Sequence, residues 1–195
     1  MSARCGNRPI SDLPDAFEHL PESLPVALRV GARDDGRDDA RRIFLEPGDY
    51  FVGGQDYVVR TMLGSCVSIV LWHPILRFGA MSHFLLASQP GQPCRRRSGM
   101  YADQVMDIMT GALEQAGIAV DQCIAKVFGG GNMFPDFCLP DSLHVGRRNG
   151  EAALALVGEH GLRLAAEDLF GVGYRDITFD VRTGDVWVRH SRETS

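Results

Sequence analysis

The chain has 195 residues, a formal net charge of −5 and 45% apolar residues, which suits one globular domain with or without a tail. A pI near 5.6 supplies no global basic field for nucleic acid, and His73, Pro74, Arg77 and His83 interrupt the longest apolar run, residues 61–86, which excludes a membrane span. The five cysteines (Cys5, Cys66, Cys94, Cys123, Cys138) are odd in number and form no C-x-x-C pair, the usage expected of free thiols in a reducing cytoplasm.

In chain order, residues 1–42 begin without a basic-then-apolar leader, so no secretory signal is expected. They are rich in Pro, Asp and Arg and lack sustained periodicity, and such a composition buries too little apolar surface to offset its ordering entropy. They read as a mobile extension, with a short amphipathic element possible at 16–20. The domain is expected at 43–190, followed by a short tail at 191–195. "RIFL" before Pro47-Gly48-Asp49 reads as a strand and turn, and "DYVVRTML" as a strand rich in branched residues. "ASQPGQPCRRRSG" has the composition of a surface loop, and Arg95, Arg96 and Arg97 within it read most simply as solvated charges.

Tyr101 to Ala116 places Val105, Ile108, Met109, Ala112 and Leu113 at helical spacing, with Gly117 as the stop. "QCIAKVF" is a strand running into Gly129-Gly130-Gly131. No G-K-[ST] follows those glycines, so a tight turn is favoured over a phosphate loop. "NGEAALALVGEHG" predicts a second helix capped by Asn149 and stopped by Gly161. "LRLAAEDL", "RDITFDV" and "DVWVRH" are strands, the last two joined in a hairpin at Thr183-Gly184. Hairpins mixed with two main helices predict an α+β fold.

The run "TMLGSCVSIVLWHPILRFGAMSHFLL" predicts a hairpin reversing at Pro74-Ile75. A symmetric turn there places Trp72 opposite Arg77 and Cys66 opposite His83. Directly opposed side chains stand roughly 4.5–5.5 Å apart at Cβ, close enough for a thiol and an imidazole to meet. A neighbouring imidazolium would lower the thiol pKa and favour the nucleophilic thiolate, and Gly64 gives the backbone freedom just before it. On these residues alone two readings stay open. A cysteine in an apolar strand is more often inert packing; the alternative is a nucleophile and its base. His73 reads as a turn residue, and no third ligand accompanies it for a metal site.

"LGSCVSIVLW", "GAMSHFLL", "YAD", "AKVFGGGNMF", "VGRRN" and "DITFDVRTGDVWV" occur in the order found in the CheD family, and the chain resembles these chemoreceptor glutamine deamidases of bacterial chemotaxis from about Tyr57 to Val188. The resemblance implies a layered α/β sandwich of mostly antiparallel strands, similar to the catalytic domains of deamidating toxins. It implies hydrolysis of glutamine side chains on the cytoplasmic helices of methyl-accepting chemotaxis proteins, with no metal or organic cofactor. The cysteine of G-S-C, here Cys66, would be the nucleophile, and the histidine of S-H, here His83, the base. The family's third residue is a Thr six positions before the cysteine. That position is Arg60 here, and Thr61, five before, is the candidate for the role. A CheC-type phosphatase is the implied second partner. Where the family commonly has glycines, "DLFGVGYR" carries Phe170 and Tyr174. Arg60 also leaves open a second functional class, an interaction module that regulates phosphatase or receptor without turnover.

Overall fold

The computed structural model describes residues 27–28, 40–89, 98–135 and 144–191. Most of the expected extension and tail, the Arg95–Arg97 loop, and Cys5, Cys94 and Cys138 lie outside them. The strands are β1 (Ala27–Leu28), β2 (Arg41–Phe44), β3 (Tyr50–Gly53), β4 (Tyr57–Leu63), β5 (Val67–His73), β6 (Phe78–Ser82), β7 (Ile124–Gly129), β8 (Arg163–Leu169), β9 (Tyr174–Asp180) and β10 (Val186–Ser191), with helices α1 (Ala102–Gln115) and α2 (Val145–Glu159). They form a six-stranded sheet in the order β1-β3-β6-β5-β7-β8 and a four-stranded sheet in the order β10-β9-β4-β2. Pairing is antiparallel except at β2–β4 and β7–β8.

The layers follow from side-chain alternation. In β5 the odd residues Val67, Ile69 and Leu71 pack with Val105, Met106, Met109 and Leu113 of α1 and Ala153 and Val157 of α2. Its even residue Val70 packs instead with Met81, Val59, Leu63, Ile177 and Phe179 between the two sheets. The result is the expected α+β sandwich: helices, sheet, sheet. Each such large apolar side chain contributes about 1.5–3 kcal/mol by leaving water. Strand β4 lines the space between the sheets with Val59, Thr61 and Leu63 and turns Arg60 and Met62 outward, the two-residue period of a half-buried strand.

Three local expectations are corrected. The β5–β6 hairpin turns over four residues, 74–77, with Arg77 at φ 49° and its N–H donating to His73 O (2.9 Å). The ladder therefore pairs Val70 with Met81 and Trp72 with Gly79, and Val67 with Phe84, so Cys66 falls opposite Leu85 and not opposite His83. The displacement is two residues, which preserves the face: Cys66 and His83 become diagonal neighbours on one side. Helix α2 starts four residues before the expected cap, after His144. Asn149 lies inside it, because its amide finds acceptors on other elements. Finally, Tyr50–Gly53 forms an interior strand of the larger sheet where no strand is expected.

Candidate active site

His83 lies just past the end of β6 and is gripped from two directions. Its backbone belongs to the turn at Pro47-Gly48-Asp49: Gly48 N–H donates to His83 O (2.7 Å) and His83 N–H donates to Asp49 O (3.0 Å). That turn is closed by Asp49 N–H to Glu46 O (2.9 Å) and by Glu46 N–H to the Asp49 carboxylate (3.1 Å). Gly48 adopts φ +89° there, a conformation for which glycine is suited.

The ring is held from the other sheet. Thr61 Oγ1 lies 2.8 Å from His83 Nδ1 and 2.7 Å from Leu45 O. A carbonyl oxygen only accepts, so the Thr61 hydroxyl donates to Leu45 O and accepts from Nδ1–H. This assigns the tautomer: Nδ1 carries the proton and Nε2 presents a lone pair. His83 Nε2 is buried without a hydrogen-bond partner, in a residue only 3% exposed. A buried polar atom left in that state costs about 1–3 kcal/mol, and such costs concentrate where chemistry is done. Ser68 Oγ, one position along β5 from Val67 and opposite His83 in register, is the other unpartnered buried side-chain atom among the described residues.

Cys66 is half-buried and packs against the cluster between the sheets, the layer that also receives the His83 ring. Its loop rests on the glycine turn: Gly130 N–H donates to Cys66 O (2.9 Å) and Gly131 N–H to Gly64 O (2.8 Å). Gly129, at φ +116°, would place a Cβ 2.3 Å from Cys66 O, so the approach depends on glycine. The turn thus supports the cysteine loop. No hydrogen bond joins His83 Nε2 to Cys66 in this structure.

The environment also corrects the expected charge state. Burial pushes the Cys66 thiol up, countered only by its own backbone N–H. Burial pushes His83 down to about 4 against a small upward pull from Leu45 O. The resting pair is a neutral thiol and a neutral imidazole, because both are withdrawn from water and neither has a countercharge to hold an ionic form. Cys123, buried under α1, is pushed up to about 12 by burial first and by Asp121 second, and packs as an apolar residue.

Arg60 is elsewhere. It sits on the outer face of the four-stranded sheet and donates from Nε to Asp176 (2.7 Å); this bond first, and that from Arg189, hold the Asp176 carboxyl below its ordinary range despite burial. Of the two candidates for the third role, Thr61 is the one that touches His83. Leu45 enters through its carbonyl alone, which leaves no mark on the sequence. Beside Ser65 opens a cleft of about 680 Å³ lined by Gly130, Met133, Phe134, Val145, Leu154 and Phe170 among others. Phe134 is 66% exposed in it. Phe170 adopts φ 65°, so it holds the left-handed backbone of a glycine without being one. Among the described residues no three His, Cys, Asp or Glu side chains gather as metal ligands, and no helix is long and apolar enough to cross a membrane.

A sequence model of the family described as CheD chemotactic sensory transduction matches residues 85–190, just over half of the chain. The chain belongs to the CheD family. Similar proteins include the probable chemoreceptor glutamine deamidase CheD 2 of Albidiferax ferrireducens, 55% identical over 149 residues, 74% of this chain and 84% of that protein. The probable chemoreceptor glutamine deamidase CheD of Pseudomonas savastanoi pv. phaseolicola is 42% identical over 76% of this chain and 84% of its own length. That of Archaeoglobus fulgidus is 38% identical over 69% and 85%. The matched residues take in the later motifs, from "YAD" to the final hairpin, and begin after Cys66 and His83.

Proposed function

We propose that this CheD-family chain is a protein-glutamine amidohydrolase that converts glutamines on the cytoplasmic helices of chemoreceptors to glutamates, with Cys66 as nucleophile, His83 as base and Thr61 as the residue that orients His83. The observation that carries this reading is the relay His83 Nδ1–H to Thr61 to Leu45 O, which leaves Nε2 as a buried, unpartnered proton acceptor in the layer that holds Cys66.

The chemistry balances within these groups. Nε2 takes the Cys66 proton as Sγ attacks the glutamine carboxamide carbon, and the imidazolium returns that proton to the nitrogen as the C–N bond breaks and ammonia leaves. The resulting thioester is opened by water, which gives its proton to Nε2; glutamate departs and the thiol regains its hydrogen. The backbone N–H of Cys66 would donate to the oxyanion. Substrate enters by the apolar cleft beside Ser65, whose exposed Phe134 and Val145 suit the apolar stripe of an amphipathic helix. The enzyme works in the cytoplasm, where the thiol stays reduced, and a CheC-type phosphatase is its second partner.

The reading as an interaction module without turnover loses its motive, since Thr61 occupies the position on His83 that Arg60 leaves. The test is to incubate the protein with a chemoreceptor cytoplasmic fragment and map Gln-to-Glu mass changes. Conversion by the parent and none by Cys66→Ser supports the proposal. Binding without conversion by the parent overturns it in favour of the module.

A further inference from the structure

We infer that Asn149 is a positioning residue for the Cys66–His83 pair: one amide nitrogen, from a different element, sets the spacing between the segment that carries the nucleophile and the segment that carries the base. The inference rests on the catalytic reading of that pair.

The need for such a residue is visible in the β5–β6 ladder. It runs regularly from His73–Phe78 to Val70–Met81 and then opens. At the next pair the Ser82 hydroxyl accepts from Ile69 N–H (3.0 Å) and donates to Ile69 O (3.4 Å), standing where strand-to-strand backbone bonds would lie. One pair closes again, Val67 with Phe84, at 3.1 and 3.0 Å. Beyond it the chains part. Gly64 and Cys66 are bound by the glycine turn, whereas Leu85 and Leu86 donate to Met100 O (2.9 and 3.1 Å). Cys66 and His83 flank that single pair, with a loosened ladder on one side and a fork on the other.

Asn149 spans the fork. Its Nδ2 donates to Ser65 O (3.1 Å) and to Leu85 O (2.7 Å), one hydrogen to each segment, and the residue is 1% exposed. Ser65 precedes the nucleophile and Leu85 lies two residues after the base. A primary amide suits the task because it alone among small neutral side chains offers two hydrogens from one atom. Helix α2 reaches this depth because Gly146 and Gly150 flank the position. A Cβ on Gly146 would stand 2.6 Å from Gly130 O, and one on Gly150 would stand 2.5 Å from the Phe170 ring. Gly146, Asn149 and Gly150, within about one and a half turns of α2, therefore serve one contact, more than capping a helix requires.

The test compares Asn149→Ala and Asn149→Asp with the parent in glutamine conversion on a chemoreceptor cytoplasmic fragment, from pH 6 to 8, at a temperature where circular dichroism shows each protein folded. Asp keeps the shape but turns an acceptor toward two carbonyls. Displacing a reacting group by about 1 Å costs on the order of 100-fold, so kcat should fall by roughly 10- to 100-fold with KM changed less than about twofold. The decisive readout is the shape of the pH profile. With the base in place the parent rate is flat across this range; with the base displaced, the rate must climb with pH as thiolate forms unaided. A role in folding alone would scale the profile without bending it, and a flat profile in a folded, slowed variant would overturn the inference. Asn149→Ser, which keeps one donor, should fall between, and it carries the test if Ala does not fold. A parent that converts no glutamine would refute the catalytic reading together with this one; an active parent with fully active Asn149 variants would refute this one alone.

Discussion

Removing the titrating ring by His83→Gln should flatten part of the acid dependence of stability. The unfolded histidine takes up its proton near 6.5 and the folded one only near about 4, so between these values the unfolded state binds more protons and stability falls as pH falls. The contribution is fully present above 6.5 and lost progressively as pH drops through 4. Evaluated between pH 7 and pH 5, linkage for this one group gives about 2 kcal/mol. Gln keeps polar bulk beside Thr61 but has no charge to acquire. Urea unfolding of parent and variant at both pH values isolates the effect, since every other titrating group cancels in the difference. The parent should lose about 2 kcal/mol more than the variant. Equal losses would show that burial does not depress His83, and the neutral-pair description would fall with it.

Further expectations concern individual residues. Cys66→Ser should abolish glutamine conversion while Cys123→Ser leaves kcat within about twofold, since Cys123 only packs in the core under α1. Thr61→Val removes the hydroxyl that fixes the His83 tautomer and should slow conversion roughly 10- to 100-fold, the worth of about 1–3 kcal/mol for a buried hydrogen bond. Arg60→Ala, on the opposite face of β4, should leave the rate unchanged in the same assay. Gly146→Ala puts a methyl against backbone atoms of Gly130 and Gly131 and should destabilise by about 1–3 kcal/mol in thermal or urea unfolding.

The parts of this protein that are legible from sequence are those set by local periodicity. Helix α1 and the hairpin of β9 and β10 follow from apolar spacing, Gly117 and Gly184, and the face shared by Cys66 and His83 follows from the two-residue period even though the register does not. The register depends on turn length, and a four-residue turn ending in a left-handed Arg77 carries no glycine or asparagine to announce it. Tyr50–Gly53 is short and abuts the turn at Pro47, so its place inside a sheet comes only from pairing with β1 and β6. The contact of Thr61 with His83 joins two sheets, and no spacing rule reaches across them. Leu45 acts through a backbone carbonyl. Asn149 looks like a cap because a cap and a staple use the same side chain; only the tertiary approach of α2 decides between them.

The covalent intermediate tests the central claim most directly. Mixing the protein with a chemoreceptor cytoplasmic fragment, quenching in acid within the first turnover and mapping peptides by mass should reveal a Cys66 peptide joined to a receptor peptide with loss of ammonia, a thioester cleaved by hydroxylamine. Glutamine conversion that proceeds at the parent rate in Cys66→Ser, with no adduct on Cys66 at any time, would contradict the account.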